Sequence, residues 1–237
     1  MPRIKLGEMS IEVVRKPIKN IHLSVLPPSG RVRIAAPERI KLDALRLFAI
    51  DKLPWIRREQ KKLREQAREA PREYLERESH YLWGRRYLLK IVERDAPPRI
   101  EQKHRSLALQ VRPGTNASKR HALLEDWYRR ELREALPSLL RKWQPIIGVT
   151  ANQIFVQRMK TKWGGCNAVS RNIRLNTDLA KKPPECLEYI LVHELTHLLE
   201  PTHNERFRVL LERFMPRAQF VREELNRLPV RHEHWSF

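Results

Sequence analysis

Three histidines and one glutamate, His193, Glu194, His197 and His203, are spaced so that one divalent cation could collect the imidazoles with the carboxylate beside it. On a helix of 3.6 residues per turn, side chains four apart lie one above the other, so His193 and His197 form a two-point clamp. Glu194 then points aside from the cation but towards a water held on it, where a general base would act. His203 lies too far round to share that face of an unbroken helix. Pro201, however, predicts that the helix ends near Glu200 and that the chain turns back, which can deliver a third imidazole. Three protein ligands and an open position are the pattern of a catalytic zinc site, whereas a structural site is closed by four, usually including cysteine.

The neighbouring residues demand burial. Cys186, Leu187, Tyr189, Ile190, Leu191 and Val192 precede the clamp, and Leu195, Leu198 and Leu199 fill the other faces. The helix therefore carries polar groups inward, where each needs a partner. Glu200 stands where H-E-x-x-H-x-x-G-x-x-H proteases place glycine, so that turn is absent as such. Its carboxylate either supports a ligand histidine or is an ordinary helix-end group.

With 237 residues, 41% apolar and 32% charged, the chain is expected to fold as a globular protein. No apolar run follows Met1 and no stretch approaches eighteen uncharged residues. Neither a signal peptide nor a membrane span is predicted, and the expected compartment is the cytoplasm. Cys166 and Cys186 are too few for a disulfide framework and read as reduced thiols, small buried hydrophobes, although Cys166 could lie near the metal. The net charge of +20, from 48 basic and 28 acidic residues, implies attraction to polyanions such as nucleic acid or nucleotides. Part of it lies within Trp55 to Arg86, where Ile56 to Arg64 reads as an exposed helix with Glu59–Lys62 and Glu65–Arg68 pairs. That helix is either a solvated face or an anion-binding surface. The tail His232-Glu233-His234 is expected to be an exposed terminus.

The elements that must position these groups follow from periodicity. Ile11–Arg15, Ile21–Val25 and Arg31–Ala35 alternate and predict an antiparallel β-meander; Leu42 to Leu53 then takes a helical period before the basic helix. Arg86–Val92 and Ser106–Val111 are two further strands. The turn formers of Arg112–Ser118 suggest a division, giving a β-rich region over 1–115 and a metal-binding domain over 116–237. His121 to Trp143 reads as an amphipathic helix interrupted at Pro137. Gln153–Arg158 and Asn172–Asn176 read as a hairpin joined through Lys162-Trp163-Gly164-Gly165-Cys166-Asn167, and two closing helices span 205–214 and 217–228. No internal repeat is evident. The fold class is α+β.

The run Arg158-Met159-Lys160-Thr161-Lys162-Trp163-Gly164-Gly165-Cys166, then Ile173-Arg174-Leu175-Asn176, then His193-Glu194-Leu195-Thr196-His197 with His203 and Phe207, resembles the YgjP-like metal-dependent hydrolases, relatives of the SprT-like and WLM zincins. Ala36-Pro37, Trp55-Ile56 and Trp83-Gly84-Arg85-Arg86-Tyr87 extend the likeness along nearly the whole chain. It departs at Gly165, where the family often has serine. The resemblance implies a compact zincin core of helices, a small sheet and the H-E-x-x-H helix, with zinc on His193, His197 and His203 and Glu194 as catalytic acid/base. It also admits nucleotide pyrophosphatase activity.

The expected activity is therefore zinc-dependent hydrolysis of peptide bonds, with Zn2+ as cofactor and Ni2+ or another divalent ion as alternatives. Arg158, Lys160, Lys162 and Trp163 are candidate substrate-binding residues beside the hairpin edge, where an extended polypeptide could add as a strand. A nucleotide phosphoanhydride is the alternative substrate, favoured by charge but unsupported by any G-x-x-x-x-G-K-[ST] loop. A third reading makes the basic surface a nucleic-acid contact, either recruiting the enzyme or serving a binding module with structural zinc.

Overall fold

Aliphatic residues alternate with polar ones through Ile11-Glu12-Val13 and Val32-Arg33-Ile34, and this period of two builds the first sheet. The computed structural model describes residues 2–26, 29–65, 72–160 and 162–229, in two compact units that fall within Met1–Arg68 and Glu69–Arg231. The His232–His234 tail and the far end of the Glu65–Arg68 pair lie outside the described residues.

In the first unit, β1 (Arg3–Leu6), β2 (Met9–Arg15), β3 (His22–Leu26) and β4 (Arg31–Ala36) precede α1 (Leu42–Asp51) and α2 (Leu53–Glu65). The strand order is β1-β2-β4-β3, so the expected meander does not form. β3 and β4 make an antiparallel hairpin, but β4 returns parallel to β2, with Ile11 opposite Val32 and Val13 opposite Ile34. This pairing gathers Ile11, Val13 and Ile34 into one core with Leu45, Ala49 and Ile56 of the two helices. Helix α2 buries Ile56 and exposes Arg57, Arg58, Lys61, Lys62 and Arg64. Its Lys62–Glu59 pair is 2.7 Å long, and an exposed pair of this kind contributes at most about 0.5 kcal/mol.

The second unit begins with β5 (Ser79–Leu82), β6 (Arg85–Glu93), β7 (Arg99–Gln102) and β8 (Ser106–Val111), again in the order β5-β6-β8-β7. Antiparallel outer pairs flank a parallel β6–β8 centre, the same scheme as in the first sheet. Each first hairpin also turns through a left-handed glycine, Gly7 or Gly84. The two sheets thus share a strand order without any repeat visible in the sequence. The division expected near residues 112–118 is not a boundary between units either. Leu107 and Leu109 of β8 share a hydrophobic core with Leu124, Trp127 and Leu132 of the following helix.

That helix, α3, runs unbroken over Ala117–Ile147 with Pro137 and Pro145 inside it. Pro137 removes one ladder hydrogen bond, yet Leu132 and Leu136 before it and Trp143 and Ile147 after it are all buried on one side, and this packing carries the helix through. The side chain of Asn116 accepts from Lys119 N–H at 3.0 Å at its start, and left-handed Gly148 ends it.

β9 (Gln153–Gln157), β10 (Gly164–Asn167) and β11 (Asn172–Asn176) form a three-stranded sheet ordered β10-β11-β9. The hairpin is β10–β11; β9 lies parallel to β11, which corrects the expected β9–β11 hairpin. A 3-10 turn over Thr177–Lys181 leads to α4 (Pro184–Thr196), α5 (Glu205–Phe214) and α6 (Ala218–Arg227). α4 packs against α3, α5, α6 and β10, which makes it the central rod of the unit. Leu187, Leu191 and Leu195 are essentially inaccessible, each stabilising the fold by roughly 1.5–3 kcal/mol. Among the described residues no helix is long and apolar enough to cross a membrane.

Candidate metal centre

Pro184 occupies the first turn of α4, where its missing N–H costs nothing, and Glu185 complements the helix dipole there. The helix ends at Thr196, earlier than the expected end near Glu200. Leu198 N–H bonds Leu195 O and Leu199 N–H bonds Thr196 O, each at 3.0 Å, so the last turn tightens before Pro201. The chain then restarts as α5 under the Asn204 cap, whose side chain accepts from Phe207 N–H at 3.0 Å. His203 sits in this short turn and folds back over α4.

The three imidazoles converge through the same nitrogen. His203 Nε2 lies 2.9 Å from His193 Nε2 and 3.1 Å from His197 Nε2, and the ligand atoms of all three lie within 4.8 Å of one another. Three nitrogens around one point cannot satisfy each other with the single proton each neutral ring carries. Tetrahedral ligands about 2.0–2.1 Å from a zinc ion stand about 3.4 Å apart, close to the spacing found. His197 Nδ1 lies 3.0 Å from the backbone carbonyl of Glu200, which fixes the proton on Nδ1 and leaves Nε2 as a donor to a metal. The Glu200 carboxylate instead accepts from Thr202 N–H and Oγ1. Its carbonyl, not its carboxylate, is what supports the histidine.

Burial, followed by the neighbouring His197, His203 and Arg222, lowers the His193 pKa to about 3; His197 and His203 are also lowered, chiefly by burial. All three rings are neutral at pH 7, the form that ligates metal. Glu194 is 5% exposed, and burial raises its carboxyl to about 7 against the opposing charge of Lys162. Its Oε2 has no hydrogen-bond partner among the described residues. A neutral-imidazole trio beside a carboxyl that titrates near neutrality can hold a divalent ion and exchange a proton.

Residues 19–228 match the family model described as YgjP-like, metallopeptidase domain. The chain belongs to the YgjP-like metallopeptidase family. Two solved structures resemble part of this YgjP-like chain. The metallopeptidase zymogen of Pyrococcus abyssi abylysin is 24% identical with a TM-score of 0.35, over 38% of this chain and 90% of that one. The metallopeptidase zymogen of Methanocaldococcus jannaschii jannalysin is 19% identical with a TM-score of 0.33, over 38% and 85%. No curated relative matches the chain.

In this YgjP-like domain the candidate substrate residues separate. Lys162 is exposed and its charge reaches both Glu194 and His203. Trp163 is half-buried under Lys182, whose Nζ stands 5.8 Å from the ring centre. Arg158 and Lys160 are exposed on the loop after β9, and the cations that shift the imidazoles and Glu194 are Lys162 and Arg222 instead. Sequence reasoning missed Arg222, which no local motif marks, and it missed the role of Asn176. The buried Asn176 amide donates to Met159 O and Lys162 O, both at 2.8 Å, and so ties together the two ends of the loop that carries Lys160 and Lys162. Cys166 lies on β10, where burial and then the charge of Glu194 raise its thiol to about 11; it stays protonated and is a poor metal ligand.

Proposed function

We propose that the protein is a zinc-dependent peptidase in which His193, His197 and His203 hold the metal and Glu194 is the catalytic acid/base. The observation that carries this reading is the meeting of three Nε2 atoms, two of the separations being 2.9 and 3.1 Å, next to a buried carboxyl. A divalent ion held there would supply Lewis acidity, activating water and polarising the scissile carbonyl. Glu194 takes the proton released as water attacks the peptide carbonyl carbon and returns it to the departing amine nitrogen as the C–N bond breaks. Lys162, exposed beside Glu194, is placed to offset negative charge on the carbonyl oxygen. β10 is the outer strand of its sheet, so an extended polypeptide can pair along its open edge and present a carbonyl to the site. Ni2+ or another divalent ion would suit the same nitrogens.

The test assays an unstructured polypeptide and nucleoside triphosphates in parallel, each against Glu194→Gln protein of equal metal content. The reading predicts peptide cleavage lost by several orders of magnitude in the variant. Phosphoanhydride hydrolysis that needs Glu194, with no peptide cleavage by the wild type, would replace it.

A further inference from the structure

Gly164 opens β10 where that strand crosses α4. A methyl group on its Cα would stand 2.5 Å from Glu194 Oε1 and 2.9 Å from both Glu194 Cγ and Ile190 Cγ2. Unstrained contacts between carbon atoms lie near 3.5–4.0 Å, so strand and helix approach as closely as a bare backbone allows. Gly164 is not among the glycines with left-handed φ. The demand for glycine is therefore one of space, not of backbone conformation. Gly165, its neighbour, gives the contrast: a methyl there would meet Met159 Cε at 3.9 Å, an ordinary contact.

β10 is not free to back away from the helix. Gly164 is paired with Leu175 of β11, Asn176 N–H donates to Trp163 O at 2.9 Å, and the Asn176 amide holds Lys162 O. On the other side Glu194 is fixed to a buried helix, and no hydrogen bond from a described residue reaches its Oε2. Gly164 faces the other oxygen, Oε1, and the Cγ behind it.

We infer that Gly164 is a positioning residue for Glu194, its missing side chain allowing the β10 backbone to serve as the wall that sets the carboxylate beside the three imidazoles. A methyl group would displace either the carboxylate or the strand by a substantial fraction of an ångström. A misplacement of about 1 Å in a catalytic group costs about 100-fold in rate. The catalytic part of this inference rests on the acid/base role proposed for Glu194; the steric contact does not.

The experiment compares Gly164→Ala and Gly165→Ala in wild-type and Glu194→Asp backgrounds, with kcat, KM, metal content and Tm as readouts. In the wild-type background Gly164→Ala should keep its metal and lose about 100-fold in kcat with KM changed less than about threefold, while Gly165→Ala changes neither by more than about threefold. Asp removes the Oε1 contact at 2.5 Å but keeps a carbon at the Cγ position and leaves Ile190 Cγ2 in place, so in that background Gly164→Ala should cost less in kcat than in the wild type. An equal loss in both backgrounds, or none in the wild type, overturns the inference. A Tm cycle with Glu194→Ala gives a readout independent of catalysis. That variant should restore at least half of the Tm, or the soluble yield, that Gly164→Ala loses; no restoration overturns the contact itself. A wild type inactive on peptides with the Tm cycle intact would instead locate the failure in the peptidase reading.

Discussion

The ring of Phe207 lies stacked on that of His197, their centroids 4.5 Å apart and their planes 28° from parallel. The same ring meets His193 and His203 edge-on, each at 4.9 Å. Phe207 is 2% exposed and sits in the first turn of α5, three residues after the Asn204 cap, so one short stretch delivers both the third imidazole and the ring that all three contact.

Phe207→Ala should therefore do two things. Emptying a buried aromatic site costs about 3–5 kcal/mol of stability. Unseating three ligands at once should weaken metal binding by about 10- to 100-fold, the range typical for groups that orient metal ligands. Urea unfolding and titration against a competing chelator measure the two separately; stability lost with metal affinity unchanged would restrict Phe207 to packing.

His203 differs from its partners in being exposed. His203→Ala should leave the Tm of the metal-free protein within about 2 °C of wild type, because little packing is removed. It should weaken metal binding by at least about 100-fold, more than loss of an orienting group. Calorimetric melting with and without added Zn2+ checks both, since bound metal raises Tm by mass action.

His80 makes stability depend on pH. It is 1% exposed. Burial first, then the charge of Arg72, with a smaller push from Lys181, lowers its pKa from 6.5 to about 4 against the opposing pull of Glu78. Its Nε2 stands 3.0 Å from Glu78 Oε1, yet among the described residues neither atom has a hydrogen bond of good geometry. The unfolded chain binds a proton on this ring below about 6.5 and the folded chain only below about 4, so the unfolded state holds more protons in between. The stabilisation is complete above pH 6.5 and is lost as pH falls through that window, on the order of 3 kcal/mol in all. In His80→Leu the slope of stability against pH between 4 and 6.5 should flatten; an unchanged slope would assign it to other groups.

What the sequence disclosed and what it hid have distinct physical causes. The clamp was legible because two histidines four apart on an apolar helix have one geometry available, and Pro201 signalled the return of His203. The strands Arg3–Leu6, Ser79–Leu82, Arg99–Gln102 and Gly164–Asn167 were missed. Each has four residues and lies at the end of its sheet, too short for alternation to register. Parallel pairings such as Ile11 with Val32 and Ile173 with Ile154 join segments whose intervening chain carries no mark of them. Gly164 and Gly165 are indistinguishable in sequence, and only the approach of Glu194 separates them.

Asn176 illustrates the same limit and supplies a further test. Its amide donates to Met159 O and Lys162 O at 2.8 Å, while its Oδ1 accepts from Asp178 N–H at 3.1 Å. Asn176→Asp keeps the shape but turns a donor towards two carbonyls into an acceptor. It should destabilise the fold by about 1–3 kcal/mol, the cost of leaving part-buried carbonyls unpaired, and Asn176→Ala should cost no more. Urea denaturation of both variants decides it; an Asp variant as stable as wild type would mean that the loop is held by something else.

X-ray absorption at the metal edge of untagged, metal-replete protein tests the central claim most directly. The account predicts about one equivalent of divalent metal per chain, with imidazole nitrogens at about 2.0–2.1 Å, a further light-atom ligand and no sulfur. Both metal and signal should be lost in a His193→Ala, His197→Ala protein. A sulfur shell near 2.3 Å, or a metal retained unchanged after both histidines are removed, would contradict it.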